Sequence, residues 1–135
     1  MRVVIDTNIM MASVSERSPI HWIFKDLALG KYNLCVSNEI LMEYEEIVDK
    51  FMGNAVAEKF INALLLLPNV ELITVFYHWG LIEKDKDDNK FSDCTVAAGA
   101  DYLASQDTDF KVLNSISFPK IEVINLEQFR LLLYF

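Results

Sequence analysis

Apolar residues along the chain fall into two alternating patterns. One is a short unbroken run: Arg2 to Ile5, residues 32–36 (YNLCV), 70–77 (VELITVFY), 102–105 (YLAS) and 121–125 (IEVIN). Runs of this length, bounded by polar or turn-forming residues, read as buried strands. The other is a helical recurrence. Ser18-Pro19, an N-cap followed by proline at the first helical position, leads into Ile20, Ile23, Phe24 and Leu27, with Gly30 as the stop. Ser37 caps a longer helix marked by Ile40, Leu41, Tyr44, Ile47, Val48 and Phe51 and broken at Gly53-Asn54. Further helices are expected over about 55–67, stopped by Pro68, and roughly 89–100, with a short turn or helix at 110–113. Asn125 and Gln128 form a capping box ahead of a last helix over 127–135. Strands alternating with amphipathic helices predict an α/β fold, with a mainly parallel five-stranded sheet in one domain over 1–135. The pattern shows no internal repeat.

Composition supports that picture. The chain has 135 residues, 53% of them hydrophobic, enough for one core, and only four glycines and three prolines. No apolar run approaches a bilayer span, and the amino-terminal run holds an aspartate and lacks a signal-peptide layout. The expectation is a soluble, cytoplasmic protein with no membrane partner. Cys35 and Cys94 lie in apolar surroundings, which suits a buried reduced pair. With no CxxC and only His21 and His78, the usual Cys/His zinc site is not expected. A net charge of −8 removes any basic footprint for nucleic acid. It does not exclude a nucleic-acid enzyme, because carboxylates neutralised by Mg²⁺ or Mn²⁺ become a phosphate-binding site.

Residues 85–110 carry seven aspartates and no glutamate around an alanine-rich run. In an open parallel sheet, ligands gather outside the carboxyl ends of the strands. Asp6 ends the first strand and Asp107 the fourth. Glu43 lies in the second turn of the helix leaving the second strand, and Asp88 lies on the loop leaving the third. Four acids from distant segments thus reach one edge of the sheet. Oxygen ligands alone suit a hard cation such as Mg²⁺ or Mn²⁺.

Each acid also has an ordinary structural reading, since aspartates after strands form turns and caps. Asp88 would cap its helix. Asp93, five residues on, is about 140° around a regular helix from Asp88, so only one of the two is expected to ligate directly. Asp85 and Asp87 read as solvated loop charges, Glu45 and Glu46 as a water-facing side of their helix, and Asp109 as a cap for the turn before Phe110. His21 reads as a packed side chain and His78 as a strand-end residue. Arg17, Lys90 and Lys111 could meet phosphate but fit ordinary surface charge better. The run Leu64 to Leu67 exceeds one helix face, leaving core and a homodimer or partner interface both open.

The acids and their settings resemble the PIN-domain ribonucleases, especially the small prokaryotic proteins described as toxins of toxin–antitoxin pairs. VVIDTNIMMAS, VSNEILMEYEEIVDKF, DKDDNKFSDCTVAAGADYL and ASQDTDF resemble the four family motifs, and IEVINLEQF the closing strand and helix, in order along nearly the whole chain. The resemblance implies a PIN-like three-layer fold. It makes Asp6, Glu43, Asp88 and Asp107 the catalytic, metal-binding quartet, with Asp88 favoured over Asp93 because it precedes Asn-Lys-Phe at the helix start. Thr7 and Asn8 would orient Asp6. Ser105-Gln106-Asp107 stands where the family usually runs Thr-Gly-Asp, so Ser105 keeps the hydroxyl and Gln106 adds a side chain.

What this resemblance implies is a metal-dependent endoribonuclease acting on RNA, with Mg²⁺ or Mn²⁺ as cofactor, an antitoxin partner, and a homodimer. One alternative is a catalytically silent PIN-like protein that binds a partner. Another is a receiver-type Mg-binding signalling domain, although strand one carries a single acid and strand three ends in Phe76-Tyr77 without an aspartate.

Overall fold

Strand length in this protein is set by the partners available to each strand. In the computed structural model, which describes residues 1–134, β1 (Arg2–Ile5) pairs with β2 (Asn33–Val36) on one side and β4 (Tyr102–Ala104) on the other. β3 (Val70–Leu72) lies beyond β2, and β5 (Val123–Ile124) beyond β4. All four pairings are parallel, in the order β3-β2-β1-β4-β5. The third strand is shorter than the apolar run 70–77 predicts. Its partner β2 ends at Val36, where Ser37 starts a helix, and only one more ladder bond, Ile73 N to Val36 O at 2.7 Å, is made. In receiver-type sheets the first strand sits between the second and third. Here β1 sits between β2 and β4, so the receiver alternative fails on topology.

The helices are α1 (Thr7–Ser13), α2 (Trp22–Ala28), α3 (Asn38–Met52), α4 (Asn54–Leu66), α5 (Asn89–Ala98) and α6 (Leu126–Tyr134). The expected last helix extends to Phe135, which lies outside the described residues. Several starts follow the chemistry read from sequence. The Ser37 hydroxyl accepts from Ile40 N at 3.3 Å. The Asn125–Gln128 box closes both ways, at 2.9 and 2.8 Å. Gly53, at φ +92°, separates α3 from α4 in a conformation that disfavours side chains. Two readings are corrected. Ser18 does not cap α2; its hydroxyl accepts from Ile20 N at 3.2 Å and closes a turn ahead of Trp22. The turn expected at 110–113 is a longer 3-10 stretch, Thr108–Ser115. α1 is a helix that the apolar spacing alone does not reveal.

Helical crossovers join the parallel strands, α1 and α2 between β1 and β2, α3 and α4 between β2 and β3, and α5 between β3 and β4. α5 packs on β1, β2 and β4, while α3 packs on α1 and α4. Covered on both faces, β1 buries Val3, Val4 and Ile5 completely. Tyr44 of α3 is 1% exposed and its hydroxyl donates to the Ile5 carbonyl, tying α3 to the carboxyl end of β1. Phe129 of α6 meets Trp22 and Tyr32 edge-on, at ring distances of 5.6 and 5.1 Å. Cys35 and Cys94 are free and buried, as expected, and burial pushes their thiols up to about 11 and about 12, so both stay protonated and unreactive. No helix among the described residues is long and apolar enough to cross a membrane.

Candidate active site

Parallel pairing of β1 with β4 brings two strand ends together, and the acids follow. Asp6 is the residue after β1. Its backbone N–H continues the ladder to Ala104 O at 3.1 Å, and its side chain caps α1 by accepting from Ile9 N at 2.9 Å. Asp6 is 4% exposed, and burial pushes its carboxyl pKa up, against the pull of the Ser105 and Ile9 hydrogen bonds. Ser105, the residue after β4, donates its hydroxyl to Asp6 Oδ2 and accepts from Asp107 N at 3.0 Å. One buried hydroxyl thus locks two acids, 6 and 107, into a common frame.

Asp6, Thr7, Asn8, Glu43, Asp85, Asp88 and Asp107 line one cleft of about 230 Å³, floored by Ile47, Phe91 and Phe110. All four expected acids are in it. Asp88 comes from the 3-10 turn Lys86–Asp88 that runs into α5. The ordinary reading of Asp88 as a helix cap is corrected: its side chain makes no capping bond. Loss of solvent, then the neighbouring charges of Asp85, Asp107, Asp109 and Glu43, push its carboxyl up to about 6. Asp93, left open beside Asp88 by helical spacing, does not line this cleft. It is buried under the segment after β3, where it accepts from Trp79 N at 3.0 Å and faces His78 Nδ1 at 3.1 Å.

The orienting role expected of Thr7 is corrected as well. Its hydroxyl donates to Glu43 Oε2, not to Asp6. Lys90 takes the other oxygen, Oε1, at 2.8 Å. Both oxygens of Glu43 are therefore held. Lys90 is not ordinary surface charge, since its side chain is only 14% exposed. Asn8 is exposed and lines the cleft without a role in holding Asp6. Gln106, in the position where the family favours glycine, turns outward and accepts from Leu126 N at 3.2 Å at the start of α6.

Sequence reasoning missed Asp109. Asp107 Oδ1 accepts from Asp109 N at 2.9 Å, which curls the chain so that Asp88, Asp107 and Asp109 each offer an oxygen within 4.8 Å of the others. The spacing Asp-x-Asp after a strand was the available signal. Asp109 also meets Lys84 at 3.1 Å, but Lys84 is 81% exposed, so that pair is weakly held. An all-oxygen, mutually repelling set fits a hard divalent cation and fits a soft or nitrogen-loving metal poorly.

These features can be set beside known proteins. No curated protein matches the chain by sequence. Several solved structures share its fold, three of them as follows. VapBC2 from Rickettsia felis, bound to a promoter DNA fragment, superposes with TM-score 0.63 at 16% identity, over 93% of this chain and 98% of that one. VapC20 of Mycobacterium tuberculosis, described as a toxin cleaving the sarcin–ricin loop, gives 0.62 at 19% identity, over 81% and 92%. DNA-bound VapBC from Salmonella typhimurium gives 0.59 at 15% identity, over 93% and 98%. At such identities the likeness is one of fold. The sequence itself goes further: a PIN-domain family model matches residues 2–109, most of the chain and every acid that lines the cleft. The chain belongs to the PIN-domain family.

Proposed function

We propose that the protein is a metal-dependent endoribonuclease that hydrolyses RNA phosphodiester bonds, and that it is the toxin of a toxin–antitoxin pair. The observation that carries this reading is the cleft in which acids from four distant segments meet with few compensating cations. Membership of the PIN-domain family and the fold shared with VapC-type proteins support it. Asp88 and Asp107, with Asp6 alongside, would hold Mg²⁺ or Mn²⁺, and Glu43 completes the acidic set from α3. Such a cation supplies positive charge for the phosphate and lowers the pKa of water for attack. The chain does the rest. Ser105 and the Ile9 amide fix the Asp6 carboxylate, so it needs no reorganisation when charge arrives. Asp88, titrating near 6 in the cation-free cleft, is ionised at neutral pH and ready to ligate. Phe91 and Phe110, packed edge-on at a ring distance of 6.0 Å, form the apolar floor.

An antitoxin partner and a homodimer belong to the same proposal. Leu64 is core, but Leu65 and Leu66 stand exposed at the carboxyl end of α4, and Phe51, Met52 and Val56 stand exposed at its other end, by the turn from α3, so this hairpin supplies apolar surface for association.

Cleavage of a generic single-stranded RNA in Mn²⁺ tests the activity, with EDTA, Asp6→Asn and Asp88→Asn as controls. Loss in all three, by about 100-fold or more for each variant, is the expected result. Neither cleavage nor Mn²⁺ binding by the folded protein overturns the proposal and leaves the silent, partner-binding alternative.

A further inference from the structure

We propose that Lys90 is the fixed cation of the Glu43 side of the cleft, so that the site takes one divalent ion, on its Asp88–Asp107 side. This rests on the metal-nuclease reading above. Two groups of acids in and beside the cleft have different surroundings. Asp88, Asp107 and Asp109 have oxygens within 4.8 Å of one another, and the cation nearest to them is the exposed Lys84. Glu43 falls outside that set. Its Oε1 pairs with the Lys90 ammonium at 2.8 Å, and its Oε2 accepts the Thr7 hydroxyl. The Lys90 and Glu43 side chains are 14% and 24% exposed, so the pair is screened far less than a surface pair.

Lys90 is also placed firmly. It is the second residue of α5, one turn before Cys94 and Thr95, which lie buried in the core. The Thr95 hydroxyl donates to Phe91 O at 2.7 Å, and the Asn89 side chain brackets Ile82 with bonds of 2.8 and 2.9 Å, so both neighbours of Lys90 are anchored. A divalent ion at Glu43 would have to expel this ammonium or stand beside it against like-charge repulsion. On the other side an incoming ion meets three carboxylates whose one ion-pair partner is the exposed Lys84. Lys90 is thus a positioning residue: it holds the Glu43 carboxylate in place, and it replaces one metal charge with a side-chain charge.

The test is a count of Mn²⁺ bound per chain by titration of the purified full chain, with melting curves for each variant. Wild type should bind one ion. Lys90→Met, which frees the Glu43 carboxylate, should bind two, and Lys90→Arg should return the count to one. A merely structural lysine would alter stability without altering this count. Should Lys90→Met fail to melt cooperatively, Glu43→Gln serves instead. It should keep one ion with affinity within about tenfold of wild type, since Glu43 is not the holder. Two ions in the wild type, one ion in a folded Lys90→Met, or loss of the ion in Glu43→Gln would each overturn the inference while leaving metal binding intact. No ion in the wild type would overturn it together with the nuclease reading.

Discussion

The two ends of β1 handle acidic residues in opposite ways. At the amino end each acid has a partner. Arg2 donates through Nε and Nη2 to the two oxygens of Glu71 at 3.0 Å each, and through its guanidinium to the Ala98 carbonyl, while its backbone N–H bonds Asp101 at 2.9 Å. The Arg2 guanidinium holds the Glu71 carboxyl below its ordinary value. At the carboxyl end, a few residues away, acids crowd together and Asp88 is pushed up to about 6. The residue types are the same at both ends. One end uses its charges to hold β1, β3 and the turn after α5 together; the other leaves Asp6, Asp88 and Asp107 without an ion pair among the described residues, which costs stability and leaves a binding demand.

Adding the missing counter-charge should break the contrast most strongly. At an Mn²⁺ concentration about 100 times its Kd, binding to the native state alone stabilises by about 2.7 kcal/mol, a rise of several degrees in Tm. Asp88→Asn should cut that rise sharply while melting no lower than wild type without metal, because it removes a repelled charge. A thermal-shift series in Mn²⁺ and EDTA checks both. An Asp88→Asn protein that melts well below cation-free wild type would show that the acid is structural. At the other end, Arg2→Ala should cost about 0.5–1 kcal/mol, the upper range for a partly exposed ion pair, and leave Mn²⁺ affinity unchanged. Urea unfolding and metal titration of that variant would separate the two ends.

The smallest effect is in the pH dependence. Asp88 has a folded-state pKa raised above its unfolded value of 3.8, so the native state binds the extra proton between about 4 and 6. Its contribution to stability therefore falls as pH rises through that window and is flat above it. Glu71 is lowered from 4.5, so its contribution is present above that value and is lost as pH falls through its folded pKa. Melting curves from pH 3 to 7 should show the Asp88 slope in wild type without metal, its absence in Asp88→Asn, and its persistence in Arg2→Ala.

Much of the architecture was readable because burial leaves a periodic trace. α3 buries Ile40, Leu41, Tyr44 and Val48 on one face, and its start and stop, Ser37 and Gly53, carry local chemistry. α1 left little trace. It is seven residues long, nearly all apolar or small, and its cap, Asp6, also ends a strand and faces the cleft. The run 70–77 has strand composition throughout, but strand extent depends on β2, which is not encoded there. In the site, the position of each acid along its element could be read, so the convergence of 6, 43, 88 and 107 was legible. The directions of side chains were not. That Thr7 turns to Glu43, that Asp93 turns to Trp79 and His78, and that Asp109 curls in beside Asp107 all depend on how α1, α5 and the 108–115 stretch sit on their neighbours.

The hydroxyl of Ser105 reaches Asp6 across 99 residues of chain. During synthesis, at roughly 5–20 residues per second, that gap takes about 5 to 20 s to fill. Until β4 has emerged and docked on β1, Asp6 has neither its neighbour nor its brace, and no smaller amino-terminal fragment contains the cleft. The order of the strands thus acts as a timer. A nascent chain lacks the assembled acidic cleft until Asp107 has emerged and β4 has docked on β1.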